Sequence, residues 1–179
     1  SQKAKLMGVQ TAEPIWKAKQ KCPQLITVSP HFEQYRKYRR AVREIYARFT
    51  DRIEPFGLDE CWLDVSKSHR LFGSSEQIAQ EIRRMVKEET GLTVSIGVSF
   101  TKVFAKLGSD LKKPDAVSVI DREHFKEIVW PLPVKDLLFV GRSAAKVLDD
   151  MRIKTIGQLA GASPDFLNYK LYFNRLWKI

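Results

Sequence analysis

The sequence predicts an α+β fold, in which short strands and amphipathic helices build a layered domain that a small helical module follows. Three observations lead to this prediction. Between residues 52 and 120, short β-type runs are separated by longer segments whose apolar residues recur at helical spacing. Pro131 and Pro133 then interrupt the chain. The residues beyond them have the pattern of short helices separated by glycines.

Composition narrows the class of protein before any motif is considered. The chain of 179 residues, 44% of them hydrophobic, is long enough for one domain with a real core and a small appendage. Its net charge of +10 favours a polyanionic partner such as nucleic acid. Cys22 and Cys61 lack zinc-like spacing and fit a reducing cytoplasm. Because no apolar run approaches about 20 residues, we expect a soluble, cytoplasmic protein with no membrane partner.

The N-terminal third is predicted to be mostly helical. Proline suits a first helical turn, so a short helix is expected from Pro14 to Lys21. The residues LITVSP (25–30) have the composition of a short strand. An amphipathic helix is predicted over 31–50, with one apolar face and one face rich in Arg and Lys. A cationic helix face is normally solvated, so DNA contact there is the less favoured interpretation.

The middle of the chain alternates strands with helices. Strands are predicted at 52–57 and 60–66, where apolar residues alternate with other residues. The segment SSEQIAQEIRRMVKEETG is predicted to be a helix with Ser74 or Ser75 as its N-cap. A strand in LTVSIGVS, a helix in FTKVFAKLGSDLKK that ends at Pro114, and a strand in AVSVI complete the layer. Together they predict one layer of sheet covered by helices.

Asp59 and Glu60 lie side by side at the junction of two predicted strands. Neighbouring strand residues point to opposite faces, so two carboxylates converge only at a strand end or bend, where they repel each other. Mg²⁺ relieves such repulsion and takes one or two carboxylates plus substrate phosphate oxygens, as in a two-metal nucleotidyl-transfer site. The simpler interpretation is a turn in which Asp59 caps the backbone and Glu60 is solvated. Asp64, inside the second strand, is predicted to be structural.

Two stretches, GLDECWLDVS and VSIGVSFTKVFAKLGSDLKKPDAVSVI, resemble the Y-family DNA polymerases of the DNA polymerase IV type, which copy damaged templates. The first is similar to the family motif Ser-(Ile/Phe)-Asp-Glu-(Ala/Cys)-(Tyr/Phe/Trp)-Leu-Asp, with Gly57 and Leu58 in place of Ser-Ile. The second is similar to the motif Gly-(Ile/Val)-Ser-x-x-Lys-x-x-Ala-Lys-x-x-(Ser/Ala)-Asp-x-x-Lys-Pro from Gly97 to Pro114. A spaced match of this length is highly specific.

The resemblance implies a polymerase palm, which is a ferredoxin-like sheet with helices on one face, together with parts of two other domains. Partial fingers would span 1–30, the palm 31–129 and a small all-α thumb 130–179. The family's first palm strand, with a further metal-binding aspartate, and its little finger are not found in this sequence. We therefore expect a fragment that does not polymerise in isolation.

Site residues follow from the same resemblance. Asp59 and Glu60 would be catalytic and would bind Mg²⁺, with two ions expected in the intact enzyme. Lys113 would contact the triphosphate of the incoming nucleotide, and Lys5 falls where the family has an arginine with that role. Gln2 falls where the family often has a tyrosine. A solvated helix face is the simpler interpretation of the neighbouring lysines, Lys102, Lys106 and Lys112.

The segment DLLFVGRSAAKVLDDMRIKTIGQLA resembles the family's helix-hairpin-helix motif, whose glycine turn lets helix-start amides approach a DNA phosphate. Gly141 matches the second glycine of the Pro-Gly-x-Gly turn, and we expect it and Arg142 to contact DNA. Leu138 and Phe139 replace the proline and the first glycine. A simple packing turn between two helices is the other interpretation. Helices are predicted at 143–150, 155–160 and from 164 onward.

The resemblance leads to template-directed DNA synthesis past damaged bases as the first functional hypothesis. Primer-template DNA and a deoxynucleoside triphosphate would be the substrates, and a sliding clamp would be a partner through a segment outside this sequence. A non-catalytic DNA-binding module that keeps palm and thumb as a clamp is the alternative. A palm-like nucleotide cyclase is a third hypothesis, disfavoured because it leaves the thumb unexplained.

Overall fold

The computed structural model describes residues 1–165 and 167, which form two compact units. The first unit is Ser1–Arg36, and the second begins at Lys37. Among the helices of the described residues, none is both long and apolar enough to cross a membrane.

The first unit contains helices α1 (Gln2–Leu6) and α2 (Ile15–Lys21) and the start of α3 (Phe32–Ala47). Helix α2 confirms the helix predicted from Pro14 to Lys21. Its last residue is tied back to the preceding loop, because Lys21 Nζ donates to the Gly8 carbonyl at 2.9 Å and to Glu13 Oε2 at 2.8 Å.

The strand predicted at 25–30 is wrong, because these residues have no regular secondary structure. Ile26 and Val28 are 86% and 83% exposed. A strand needs a hydrogen-bonded neighbour and a buried face, and within the described part of the chain this segment has neither. Strand composition alone therefore did not produce a strand here.

The second unit begins inside α3 and continues into an antiparallel hairpin. Helix α3 as a whole confirms the helix predicted over 31–50. Strands β1 (Ile53–Phe56) and β2 (Glu60–Leu63) pair with Ile53 opposite Leu63 and Phe56 opposite Glu60. The two strands predicted around the acidic pair are confirmed, although each is shorter than its apolar run.

Helices α4 (His69–Phe72) and α5 (Ser75–Thr90) follow the hairpin. Ser74 is the N-cap of α5: its hydroxyl accepts from the Gln77 backbone N–H, while the Gln77 side chain accepts from the Ser74 N–H. This reciprocal capping satisfies two backbone donors that a helix start otherwise leaves unpaired. The predicted helix is confirmed, with Ser74 rather than Ser75 as its cap.

Strands β3 (Ile96–Ser99) and β4 (Val117–Ile120) are parallel and are connected by α6 (Lys102–Leu111). Helix α6 lies directly on β3 at Gly97, where an added Cβ would stand 1.9 Å from the Ala105 carbonyl oxygen. Only glycine leaves room for this approach. The predicted strand, helix and strand are all present with shorter bounds.

Within the part of the chain that the structure describes, the four strands form two separate two-stranded ladders, where one continuous layer was predicted. Both ladders nevertheless contribute to one hydrophobic core, since Leu63 of β2 and Ile96 of β3 pack on the same buried residues of α3, of the turn just after α3 and of α5. Those core residues are Ile45, Phe49, Ile78, Ile82 and Val86. Side-chain burial therefore joins the ladders where hydrogen bonds do not.

The helical module follows α7 (Phe125–Val129) and a 3₁₀ turn at Val134–Asp136. Helices α8 (Arg142–Asp150) and α9 (Ile156–Gly161) confirm the helices predicted at 143–150 and 155–160. The helix predicted from 164 onward lies almost entirely outside the described residues. Val134, Leu148, Ile153 and Leu167 form one buried cluster, whereas Ile156 of α9 packs with Leu107, Ile120 and Val129 in another.

Candidate functional site

The hairpin places the two neighbouring carboxylates at its turn. Asp59 is exposed in the loop between the strands, and Glu60 is the first residue of β2, with its side chain 38% exposed. Gly57 opens the loop at φ +71, a left-handed conformation that glycine adopts without steric cost. The predicted position at a strand junction is confirmed, while the chemical roles of Asp59 and Glu60 stay predictions.

One face of the hairpin packs against the start of α6. The strand register pairs Glu54 with Trp62 and Phe56 with Glu60, so these four side chains share a face. Trp62 Nε1 donates to the Lys102 carbonyl at 3.0 Å, and Lys102 Nζ pairs with the Glu54 carboxylate. Glu60 is thereby directed toward the lysines of α6.

A row of alternating charges runs from Glu60 along α6. Lys106 Nζ lies 3.2 Å from Glu60 Oε1 and 2.6 Å from Asp110 Oδ2. Asp110 Oδ1 lies 2.6 Å from Lys113 Nζ. The predicted metal ligand Glu60 and the predicted triphosphate contact Lys113 are thus connected through two intermediate side chains.

The central pair of this row keeps its charges. Partial burial alone would lower the pKa of Lys106, but its hydrogen bonds to Asp110 and Glu60 outweigh that effect and raise the pKa. Partial burial of Asp110 acts to raise its pKa, yet the bonds from Lys106 and Lys113 lower it below its usual value. Lys106 is therefore an ammonium and Asp110 a carboxylate at neutral pH.

The segment after Lys113 is anchored to α5. Arg83 Nη1 donates to the Asp115 carbonyl at 2.8 Å and to Asp115 Oδ1 at 3.1 Å, and Lys87 Nζ lies 2.8 Å from Asp115 Oδ2. These bonds hold Asp115, which has a left-handed backbone at φ 53. The base of the Lys113 segment is therefore fixed while the Lys113 side chain stays 53% exposed.

The carboxylates offer part of a metal shell. Within residues 1–165 and 167, no group of three or more His, Cys, Asp or Glu side chains has the arrangement of a metal site. Asp59 has no hydrogen-bond or ion-pair partner in this part of the chain, whereas Glu60 is bound by Lys106. Mg²⁺ takes as few as one or two protein carboxylates and fills its other positions with water and phosphate oxygens. The Asp59 and Glu60 pair fits that donor requirement.

The remaining predicted site residues lie in two places. Lys5 is exposed on α1, in the first unit. Gly141 is the N-cap of α8, and among the described residues it has no side-chain cap and no neighbouring atom within 4 Å of an added Cβ. The exposed Arg142 begins the helix. The start of α8 therefore presents uncapped backbone amides beside a cation.

Sequence reasoning missed Lys106 and Asp110 as members of the site, because α6 lysines were interpreted as a solvated face. The spacing carried a signal: Lys106 and Asp110 are four residues apart and Asp110 and Lys113 three, the distances at which helix side chains meet.

The expectation of a solvated face on α3 is also wrong in part. One guanidinium nitrogen of Arg39 (Nε) and two of Arg43 (Nε and Nη2) are shielded from solvent and unpaired among the described residues.

Comparison with known proteins gives concordant matches in sequence and in structure. The impB/mucB/samB family matches residues 1–110. The DNA polymerase IV of Acetivibrio thermocellus is 55% identical over 164 residues, which cover 92% of this chain and 41% of that protein. The DNA polymerase IV of Clostridium acetobutylicum is 37% identical over 177 residues, which cover 98% of this chain and 44% of that protein. The chain thus spans less than half the length of these curated relatives.

Solved structures confirm the fold class. DinB from Sulfolobus solfataricus superposes with a TM-score of 0.83 at 25% identity, over 95% of this chain and 50% of that one. The insertion ternary complex of Dbh DNA polymerase superposes with a TM-score of 0.84 at 25% identity, over 93% of this chain and 49% of that one. The mixture of helices and small sheets is therefore an arrangement these polymerases share.

Proposed function

The chain belongs to the impB/mucB/samB family, that is, to the Y-family DNA polymerases, and from this premise we propose that the protein to which it belongs synthesises DNA past damaged template bases. The proposed reaction transfers a nucleotide from a deoxynucleoside triphosphate to the primer 3′-hydroxyl. One observation carries the proposal: ion pairs along α6 connect the hairpin carboxylate Glu60 to Lys113, the lysine expected to contact the triphosphate.

We assign Asp59 and Glu60 as protein ligands of Mg²⁺, with two ions expected in the complete site. Bound Mg²⁺ would supply charge neutralisation at the phosphates and activation of the primer hydroxyl. Asp59 is suited to this role because its carboxylate is exposed and unpaired within the described residues. Glu60 is suited because its pair with Lys106 is partly exposed and can be exchanged at small cost.

Lys113 is assigned to the triphosphate of the incoming nucleotide. Its ammonium is held by Asp110 at 2.6 Å, but both side chains are about half exposed, at 53% and 46%. Exposed pairs of this kind contribute only about 0.2–1 kcal/mol, so a triphosphate can replace the carboxylate. A lysine acts here as a compact point charge. Lys5 is proposed as a second cation for the same phosphates.

DNA binding is assigned to the start of α8, where the uncapped amides after Gly141 and the guanidinium of Arg142 would hold a backbone phosphate. The net charge of +10 supports a nucleic-acid partner. A sliding clamp is proposed as a further partner, bound through a segment outside this sequence. Cys22 and Cys61 are both free thiols, which supports the cytoplasm as the proposed location.

The proposal is tested by primer extension with the full protein that contains these residues. Asp59→Ala and Glu60→Ala should each reduce extension at least about 100-fold, because loss of a metal ligand removes several kcal/mol of transition-state stabilisation. DNA affinity should stay within about twofold of wild type, since the DNA-binding cations lie elsewhere. Asp64→Asn is the matched control, because Asp64 pairs with Arg52 at 3.0 Å. Full extension by the Asp59→Ala protein would contradict the assignment.

Salt dependence separates phosphate binding from other modes of DNA contact. For about four phosphate contacts, affinity should fall about 100-fold between roughly 50 and 200 mM salt. Arg142→Ala should make this dependence shallower. Arg84→Ala should leave it unchanged, because Arg84 is already paired with Glu81 and Glu88. Salt-dependent binding without any extension by the wild-type protein would instead support a non-catalytic DNA-binding module.

A further inference from the structure

Lys106 holds the central position in the row of charges between the hairpin and Lys113. It is the least exposed member, with 19% of its side chain accessible, against 38% for Glu60, 46% for Asp110 and 53% for Lys113. Its ammonium contacts carboxylates on both sides, at 3.2 Å and 2.6 Å. A single half-buried cation therefore contacts two more exposed carboxylates and restricts where they point.

We propose that Lys106 is a positioning residue of the nucleotidyl-transfer site: it holds Glu60 directly, and by pairing with Asp110 it limits the hold of that carboxylate on Lys113, so that Lys113 stays available to a triphosphate. This inference rests on the proposed function. Lys106 would touch neither the nucleotide nor the primer. It would act through Glu60 and Lys113, the side chains assigned to the metal and to the triphosphate.

The backbone beneath Lys106 is rigid enough for this role. Helix α6 rests on β3 at Gly97, and Gly97 Cα lies 3.2 Å from the Cβ position of Gly108. Movement of α6 relative to β3 is therefore limited on this side of the helix, because backbone atoms meet without intervening side chains. An ammonium carried on such a helix can hold its partners at reproducible positions.

Electrostatics predict opposite changes in triphosphate affinity for two substitutions. Lys106→Met removes the cation that competes with metal for Glu60. It also leaves the Asp110 carboxylate with Lys113 as its remaining cation in the row, so Asp110 holds Lys113 more strongly. Metal binding should therefore become tighter and triphosphate binding weaker. Asp110→Asn instead releases Lys113 from its carboxylate partner, so triphosphate binding should become tighter. A simple folding defect would weaken triphosphate binding in both variants.

Lys102 provides the matched control. It lies one helical turn before Lys106 on α6, and its ammonium pairs with Glu54 on the same face of the hairpin. Lys102→Met therefore removes the same charge from the same helix and breaks the same kind of surface pair. It does so without touching Glu60 or Asp110.

The test uses the full protein and two readouts. Mn²⁺ affinity is measured without DNA or nucleotide by electron paramagnetic resonance of the free ion, and KM for the triphosphate is measured in primer extension. For Lys106→Met we expect Mn²⁺ affinity to rise and KM to rise, each by about two- to fivefold, the range for exposed ion pairs. Asp110→Asn should lower KM. Lys106→Arg should restore wild-type values more closely than Lys106→Met.

The outcomes distinguish this inference from the function on which it rests. If the wild-type protein extends primers but Lys106→Met behaves like Lys102→Met, the positioning role is wrong and the proposed function stands. The same conclusion follows if Lys106→Met and Asp110→Asn both raise KM. If the wild-type protein does not extend primers at all, the proposed function fails and this inference fails with it.

Discussion

The ring of Phe139 meets the ring of Phe56 edge to face, with centroids 6.4 Å apart and planes at 88°. Phe56 is the strand partner of Glu60, and its ring also lies 4.6 Å from that of Trp62. Phe139 belongs to the loop just before α8. An aromatic contact therefore joins the turn assigned to DNA binding with the hairpin that carries the carboxylates.

Phe139 adopts this position at φ +70, a backbone conformation that costs a residue with a Cβ about 1–2 kcal/mol. Replacement by Ala or by Gly removes the ring contact in both cases, but only glycine accepts the backbone without strain. Urea unfolding of the chain should therefore show Phe139→Gly to be more stable than Phe139→Ala by about 1 kcal/mol. At Lys146, an exposed position inside α8, the order should reverse because alanine favours a helix interior. If Phe139→Ala were as stable as Phe139→Gly, the backbone at position 139 would not be strained.

Gly97→Ala should strongly destabilise the fold. The new Cβ would stand 1.9 Å from the Ala105 carbonyl and 2.5 Å from the Ser109 amide nitrogen, and both are backbone atoms that cannot rotate away. We expect the free energy of unfolding to fall by about 3 kcal/mol or more, as measured by urea denaturation. Gly161→Ala is the control, because no atom of residues 1–165 or 167 is found within 4 Å of its Cβ position. A Gly97→Ala protein as stable as this control would contradict the close packing of α6 on β3.

Asp64 should make stability depend on acid pH. Hydrogen bonds from Ser66 and then Arg52 lower its pKa from 3.8 to about 2. Because the folded-state pKa is depressed, the carboxylate stabilises the fold above 3.8, and that contribution is lost as the pH falls through about 2. Asp64→Asn should therefore be less stable than wild type near about pH 6, with the difference closing near about pH 2.

Equilibrium unfolding as a function of pH measures this difference. Ser66→Ala removes the hydroxyl bond but keeps the backbone N–H, which lies 3.0 Å from Asp64 Oδ1. Its pH-dependent loss should be smaller than that of Asp64→Asn. A destabilisation that stays constant with pH in both variants would show that the Asp64 charge does not contribute.

Lys113→Ala should weaken the binding of the incoming deoxynucleoside triphosphate. Loss of a charge-assisted phosphate contact should raise KM for the triphosphate about tenfold or more, with DNA affinity nearly intact. Steady-state extension and a DNA titration with the full protein measure the two quantities. Lys112→Ala is the neighbouring control, since that lysine is also exposed. An unchanged KM with weaker DNA binding would make Lys113 a DNA-backbone residue instead.

The sequence alone was sufficient for the features whose causes are local. The capping box at Ser74 and Gln77, the helix α3 and the hairpin around Asp59 were all predictable, because caps, periodicity and turn residues act over a few neighbouring positions. The spaced motif from Gly97 to Pro114 was sufficient to indicate the family. These features do not depend on how distant parts of the chain meet.

Tertiary structure decided what depends on a partner from elsewhere in the chain. Residues 25–30 have strand composition, but a strand forms only when a neighbour satisfies its backbone groups, and composition does not say whether one is present. The contact of Phe139 with Phe56 and that of Lys106 with Glu60 likewise depend on where α8 and α6 lie against the hairpin. For α6 that position follows from the close approach at Gly97, where backbone meets backbone in a way no local pattern encodes.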